Sequence, residues 1–128
     1  MDNVNKQIKS VQDLIVYNKA FEASMKIFHF SKGFPREERY SLTDQILRSS
    51  RSICANLAEA WRKRKYKAAF IHKIWESSQE AAETQTWLSF SLRCGYLNME
   101  NFEQLNNEYE QIFAMLITME RKAESFCR

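Results

Sequence analysis

The chain has 128 residues, 45% hydrophobic and 27% charged, with a formal net charge of +3, two glycines (Gly33, Gly95) and one proline (Pro35). All-β folds need a turn about every 8 to 12 residues, so such a shortage of turn formers excludes them and leaves long helices in one domain. A chain of this size buries roughly two-thirds of its unfolded surface, enough to hold a core without disulfides or a metal.

The opening Met1-Asp2-Asn3-Val4-Asn5-Lys6 is polar, and no apolar run approaches the length of a membrane span. A secretory signal needs an apolar core, so a cytoplasmic location is expected. Residues 1–10 read as a flexible N-terminal segment ahead of a single domain over 11–126.

Helix one is expected from Val11 or Asp13 to about Lys32, because Leu14, Tyr17, Phe21, Ser24, Met25 and Phe28 recur at steps of three and four. Gly33-Phe34-Pro35 ends it: glycine can take the left-handed cap conformation and proline cannot donate the next helical bond. Helix two starts either at Pro35, with Glu37 and Glu38 near the positive dipole end, or at Ser41, where Ser41-Leu42-Thr43-Asp44 resembles a cap. Its apolar side holds Ile46, Leu47, Ile53, Cys54, Leu57 and Trp61, with small Ser50 and Ala58 among them. Asp44, Arg48, Arg51, Ala55, Glu59 and Arg62 project from the opposite side at about 100° per residue.

Like charges on adjacent turns repel, so Arg62-Lys63-Arg64-Lys65 marks the second connection or a frayed helix end. Helix three follows from about Tyr66 to Arg93 with two apolar seams: Phe70, Ile74, Ala81, Leu88 and Leu92 beside Ile71, Trp75 and Ala82. Two seams suit a central helix. Gly95 closes it, and Asn98 is a good N-cap for helix four, whose stripe is Phe102, Leu105, Tyr109, Ile112, Phe113, Leu116 and Ala123. Four such helices on short connections give an all-α, antiparallel, up-down-up-down four-helix bundle, roughly 30 to 40 Å long at about 1.5 Å per residue.

Charge is unevenly spread. Residues 35–67 carry Arg36, Arg39, Arg48, Arg51, Arg62, Lys63, Arg64, Lys65 and Lys67 against Glu37, Glu38, Asp44 and Glu59, whereas the chain from Gly95 onward is net acidic. A two-sided charge suits an anionic partner on one face. Cys54, Cys94 and Cys127 are far apart, lack a CxxC spacing and read as reduced, mostly buried thiols; His29 and His72 add no ligand spacing, so no metal or cofactor is expected.

Phe34-Pro35, Glu38, Tyr40, Leu42, Gln45, Arg48, Ser52-Ile53, Asn56 and Ala58-Glu59 resemble the core motif of the four helix bundle protein family. That family includes the intervening-sequence proteins of bacterial large-subunit ribosomal RNA genes and the accessory variability determinants of diversity-generating retroelements. The resemblance extends from Leu14 to Leu116. It implies a bacterial bundle assembled as a homopentamer with a basic surface, nucleic-acid binding and, for the retroelement branch, association with a reverse transcriptase. The chain departs from the pattern after Glu59, where Ala60-Trp61-Arg62-Lys63-Arg64 replaces a glycine-rich turn and makes the second connection more helical and more basic.

Arg51, Arg62, Lys63, Arg64, Lys65 and Lys67 are the candidate phosphate contacts to RNA or DNA, since guanidinium grips phosphate in a bidentate fork and Tyr66 beside them can stack on a base. Arg48 joins them as a candidate but lies one helical turn from Asp44, and an ion pair to Asp44 or Glu59 is its bland alternative. Pro35, Gln45, Asn56 and Glu59 read as structural, with Gln45 and Asn56 hydrogen-bonding across helices from the edge of the apolar stripe. Trp87, outside the main seams, is a candidate subunit-interface residue. No Glu-x-x-His pair, phosphate-cradling glycine loop or nucleophile elbow is present. Seven residues separate Arg64 from His72, too many for the Arg-His spacing of helical ribonucleases. The leading expectation is therefore a non-catalytic, homo-oligomeric nucleic-acid-binding accessory protein; the alternatives are a scaffold ring that docks an acidic or RNA-bound protein without its own nucleic-acid affinity, and a nuclease acting through His72.

Overall fold

Four α-helices dominate residues 7–127, the part of the chain that the computed structural model describes: α1 (Ile15–Ser31), α2 (Asp44–Arg62), α3 (Lys67–Arg93) and α4 (Met99–Arg121). The expected N-terminal segment falls, over residues 1–6, outside the described residues. Each helix packs on the next in sequence and α4 returns to α1, with α2 against α3 the most extensive pair. Short connections make consecutive neighbours antiparallel, which is the expected up-down-up-down bundle. At 27 residues α3 runs about 40 Å.

Several helix ends differ from expectation. Val11–Asp13 form a separate 3-10 turn, and Leu14 is extended (φ −80°, ψ 130°) before α1 begins. The Asp13 carboxylate accepts the N–H groups of Lys9 (2.9 Å) and Ser10 (3.1 Å), folding that segment onto the bundle end. Gly33 does not adopt the left-handed cap; the one residue of positive φ among those described is Gly95, at 83°. The last turn of α1 instead tightens, with Gly33 N–H on the Phe30 carbonyl and Phe34 N–H on that of Ser31, until Pro35 (φ −65°, ψ 150°) stops it. Of the two starts for helix two, Pro35 is the one used. A 3-10 turn at Arg36–Glu38 runs into a π-helical turn at Arg39–Thr43 and on into α2, and helical Thr43 (φ −58°, ψ −52°) leaves no cap at Ser41.

The far end of α3 closes as expected. Tyr96 N–H reaches the Ser91 carbonyl and Gly95 N–H that of Leu92, both at 2.9 Å, the paired bonds of a left-handed glycine cap. Asn98 then caps α4, its side chain accepting Asn101 N–H at 2.7 Å.

Ile46, Ile53, Leu57, Ile74, Leu88, Leu105, Ile112 and Leu116 meet along the bundle axis around fully buried Phe70 and Tyr109. The α2 and α4 stripes pack as expected, but those of α1 and α3 are corrected. In α1 the buried face is Val16, Ala20, Ala23, Ser24 and Ile27, where small Ala20, Ala23 and Ser24 let the backbone approach its neighbours, and Phe21 and Met25 are left exposed. In α3 the second seam turns outward at Ala82 and at Trp75, 47% exposed, while Ile71 still packs on the core, and the buried positions between the apolar ones are Ser77, Ser78, Thr84 and Ser91. Their hydroxyls are satisfied: Ser49 and Thr84 share a 2.8 Å bond, Ser77 donates to the Ile53 carbonyl, and Ser78 and Ser91 donate to carbonyls three and four residues back. Buried polar groups cost little when bonded in this way.

Of the cysteines only Cys54 is buried; Cys94 is exposed and Cys127 half-buried, all three as free thiols. Half-buried Trp87 packs on the core and donates its indole N–H to Glu83, one turn back on the same helix, at 3.1 Å.

Candidate nucleic-acid interface

The antiparallel topology brings the C-terminus of α2 and the N-terminus of α3 to the same end of the bundle as residues 9–13. Helix α2 stops at Arg62, and the cations that follow it form the turn into α3. Lys63 turns (φ −102°, ψ 14°) with its N–H on the Ala60 carbonyl, Tyr66 N–H closes onto Lys63, and extended Tyr66 (φ −116°, ψ 105°) leads into α3. Between this turn and the folded-back segment lies an open cleft of about 790 Å³, lined by Lys9, Arg62, Lys63, Arg64 and Lys65 and by one acid, Glu59. That acid is occupied, pairing with Lys73 at 2.9 Å.

Individual side chains differ in readiness. Arg62, Lys63 and Lys65 are exposed and make no salt bridge within 4.0 Å among the described residues, though the Lys63 charge reaches Glu76. Arg64 is braced: its Nε donates to the Trp61 carbonyl at 2.9 Å and its guanidinium lies 3.8 Å from the centroid of the Trp61 ring, which leaves its terminal N–H groups for a ligand. Lys67 bonds Glu124 at 2.7 Å, but both side chains are exposed, so the pair exchanges easily with solvent.

The remaining candidates lie elsewhere. Arg48 is not a free cation; it spans to α3, with Nη1 3.3 Å from Glu80 and Nη2 hydrogen-bonded to Glu83, and the Glu83 bond holds its proton more tightly still. Its partners are acids of α3, in place of the Asp44 and Glu59 expected within α2. Arg51 is exposed and sits 5.8 Å from the Phe28 ring. It lies eleven residues before Arg62, about 16 Å along the helix, and is no part of the cleft. Arg36 and Arg39 sit at the opposite end, so the nine cations of residues 35–67 are not gathered in one place. Gln45 and Asn56 are half-buried but make no side-chain hydrogen bond among the described residues; Ser49, Thr84, Ser77 and the Gln85–Asn106 pair (3.1 Å) bond across helices instead. Pro35 does hold the structural position expected of it, ending the α1 connection.

Lys9 is the cleft residue that the sequence pattern did not supply. Its signal is Asp13, placed to accept the N–H groups of both Lys9 and Ser10. Among the described residues no group of His, Cys, Asp and Glu is arranged to hold a metal and no helix is long and apolar enough to cross a membrane.

A family model described as "23S rRNA-intervening sequence protein" matches residues 12–118. The chain is also similar to a crystal structure of a protein of unknown function from the S23 ribosomal protein family of Bacteroides thetaiotaomicron VPI-5482. The two are 33% identical with a TM-score of 0.76, over 84% of this chain and 96% of that one. None of the curated proteins matches.

Proposed function

The chain belongs to the 23S rRNA-intervening sequence protein family, and on that premise we propose that it is a non-catalytic, self-associating accessory protein that holds RNA or DNA by its phosphates at the basic end of the bundle. The observation that carries this reading is the cleft where Arg62, Lys63 and Lys65 stand unpaired around a braced Arg64. Where acids are at hand the chain uses them: Lys26 pairs with Glu108, Arg48 with Glu80 and Glu83, and Lys73 with Glu59 and Glu76. Around the cleft Glu59 is taken by Lys73, and the cations that stand close together at the end of α2 and in the turn after it are relieved by an anion from outside. Phosphate suits them, since arginine supplies a bidentate fork and lysine a point charge. Such contacts fix position and carry no base sequence. Self-association rests on apolar side chains left in water along α1, where Ile15 is 73% and Phe21 45% exposed.

Charge reversal tests the reading. The variant R62E/K63E/R64E/K65E loses retention of labelled RNA or DNA at low salt while keeping wild-type oligomer mass and helical content, and the wild-type protein leaves the RNA intact. Full retention by this variant overturns the proposal. A wild-type protein that forms the oligomer but binds no nucleic acid instead favours the scaffold that docks an acidic protein.

A further inference from the structure

Tyr66 is an aromatic ring that the bundle does not use. Its side chain belongs to a residue 64% exposed, its hydroxyl has no partner among the described residues, and its one ring contact is the Lys65 ammonium, 5.7 Å from the centroid. It is nevertheless rigidly held. Its N–H closes the turn onto Lys63 and its carbonyl accepts Phe70 N–H at 2.9 Å, so the backbone beneath the ring belongs to the first turn of α3. Unpaired Lys63 and Lys65 precede it, and loosely paired Lys67 follows. An apolar ring face kept in water beside a lysine ammonium, in a cation-rich stretch of chain, is poorly suited to a protein core or to an apolar partner. It suits a flat, anionic, π-faced ligand.

Nucleobases on a phosphate backbone have that chemistry, but a duplex keeps its base faces stacked on one another, whereas a single strand presents them. Resting on the phosphate-binding reading above, we propose that Tyr66 is a base-stacking platform and that the basic end selects single-stranded over duplex nucleic acid. The phosphates draw any nucleic acid to the cleft; the ring adds affinity only where a base can be unstacked onto it. An internal comparison exists. Tyr40 is just as exposed, at 71%, with Arg39 beside its ring, but it lies at the opposite end among Glu37, Glu38 and Asp44.

The test is fluorescence anisotropy with a labelled oligothymidylate and a mixed-sequence duplex of equal length, at one low salt concentration. Wild-type protein binds the single strand more tightly. Tyr66→Ala weakens single-strand binding about tenfold and duplex binding less than twofold, since one stacked base contributes about that factor or more. Tyr66→Phe, which keeps the ring, retains wild-type affinity, and so does Tyr40→Ala. Equal wild-type affinity for strand and duplex overturns the selectivity while leaving phosphate binding in place, as does a Tyr66→Ala loss that is equal for both. Absence of binding to either probe overturns the phosphate reading itself, and the stacking platform with it.

Discussion

Replacing Arg48 with methionine should cost stability and leave nucleic-acid affinity unchanged. The guanidinium joins α2 to two acids of α3, and the Arg48 side chain is 48% exposed, with Glu80 at 23% and Glu83 at 34%. Pairs so open to solvent are screened and contribute about 0.2 to 1 kcal/mol each. Removing the arginine also leaves Glu80 and Glu83 one turn apart without a counter-charge, a like-charge cost of about 0.2 to 0.5 kcal/mol. Together these give a loss of about 1 kcal/mol, a fall of about 3 to 5 °C in Tm for a chain of this length. Urea unfolding followed by circular dichroism measures it, in low salt and in 1 M NaCl, where a Debye length of about 3 Å should erase much of the difference. Anisotropy on the same samples should place the affinity for single-stranded nucleic acid within twofold of wild type. Unchanged stability combined with tenfold weaker binding would refute the assignment and return Arg48 to the phosphate contacts.

Tyr109 is fully buried and its hydroxyl finds no partner among the described residues, so burial pushes the phenol far above its ordinary range. Tyr109→Phe removes an unsatisfied polar group and should raise stability by about 1 kcal/mol in urea; a loss of that size means the hydroxyl is bonded after all. Burial likewise pushes the Cys54 thiol up to about 12 from an ordinary value near 9. A group raised in the fold stabilises it below the unfolded value and loses that contribution as pH climbs, so Cys54→Ala should lessen the loss of stability between pH 9 and 12. At pH 8 iodoacetamide should label exposed Cys94 first and reach Cys54 only on unfolding, as mass spectrometry of the peptides would record.

Architecture was legible where chemistry left one option. Gly95 and Asn98 mark a helix end and a helix start by backbone rules that packing does not overturn, and both are found as read. The burial pattern was less legible because a hydropathy stripe scores large apolar side chains and ignores close approach. Ala20 and Ala23 are buried while Phe21 faces water, and Ser77, Thr84 and Ser91 enter the core because each hydroxyl bonds a backbone carbonyl or a facing hydroxyl. Site residues divide in the same way. The dense run Arg62 to Lys65 sits together by covalent neighbourhood alone. The fate of Arg48 depended on which acids α3 turns toward it, which spacing along the chain does not give, whereas Lys9 is placed by the local fold-back onto Asp13, four residues on. The π-helical turn at Arg39–Thr43 has no sequence signal that distinguishes it from an ordinary first turn of α2.

The salt dependence of binding probes the basic end most directly. If the side chains of Arg62, Lys63, Arg64 and Lys65 meet four phosphates of a single strand, log K should fall with log salt at a slope of about −3. An affinity indifferent to salt, or no binding at the lowest salt tested, would contradict a phosphate-holding cleft.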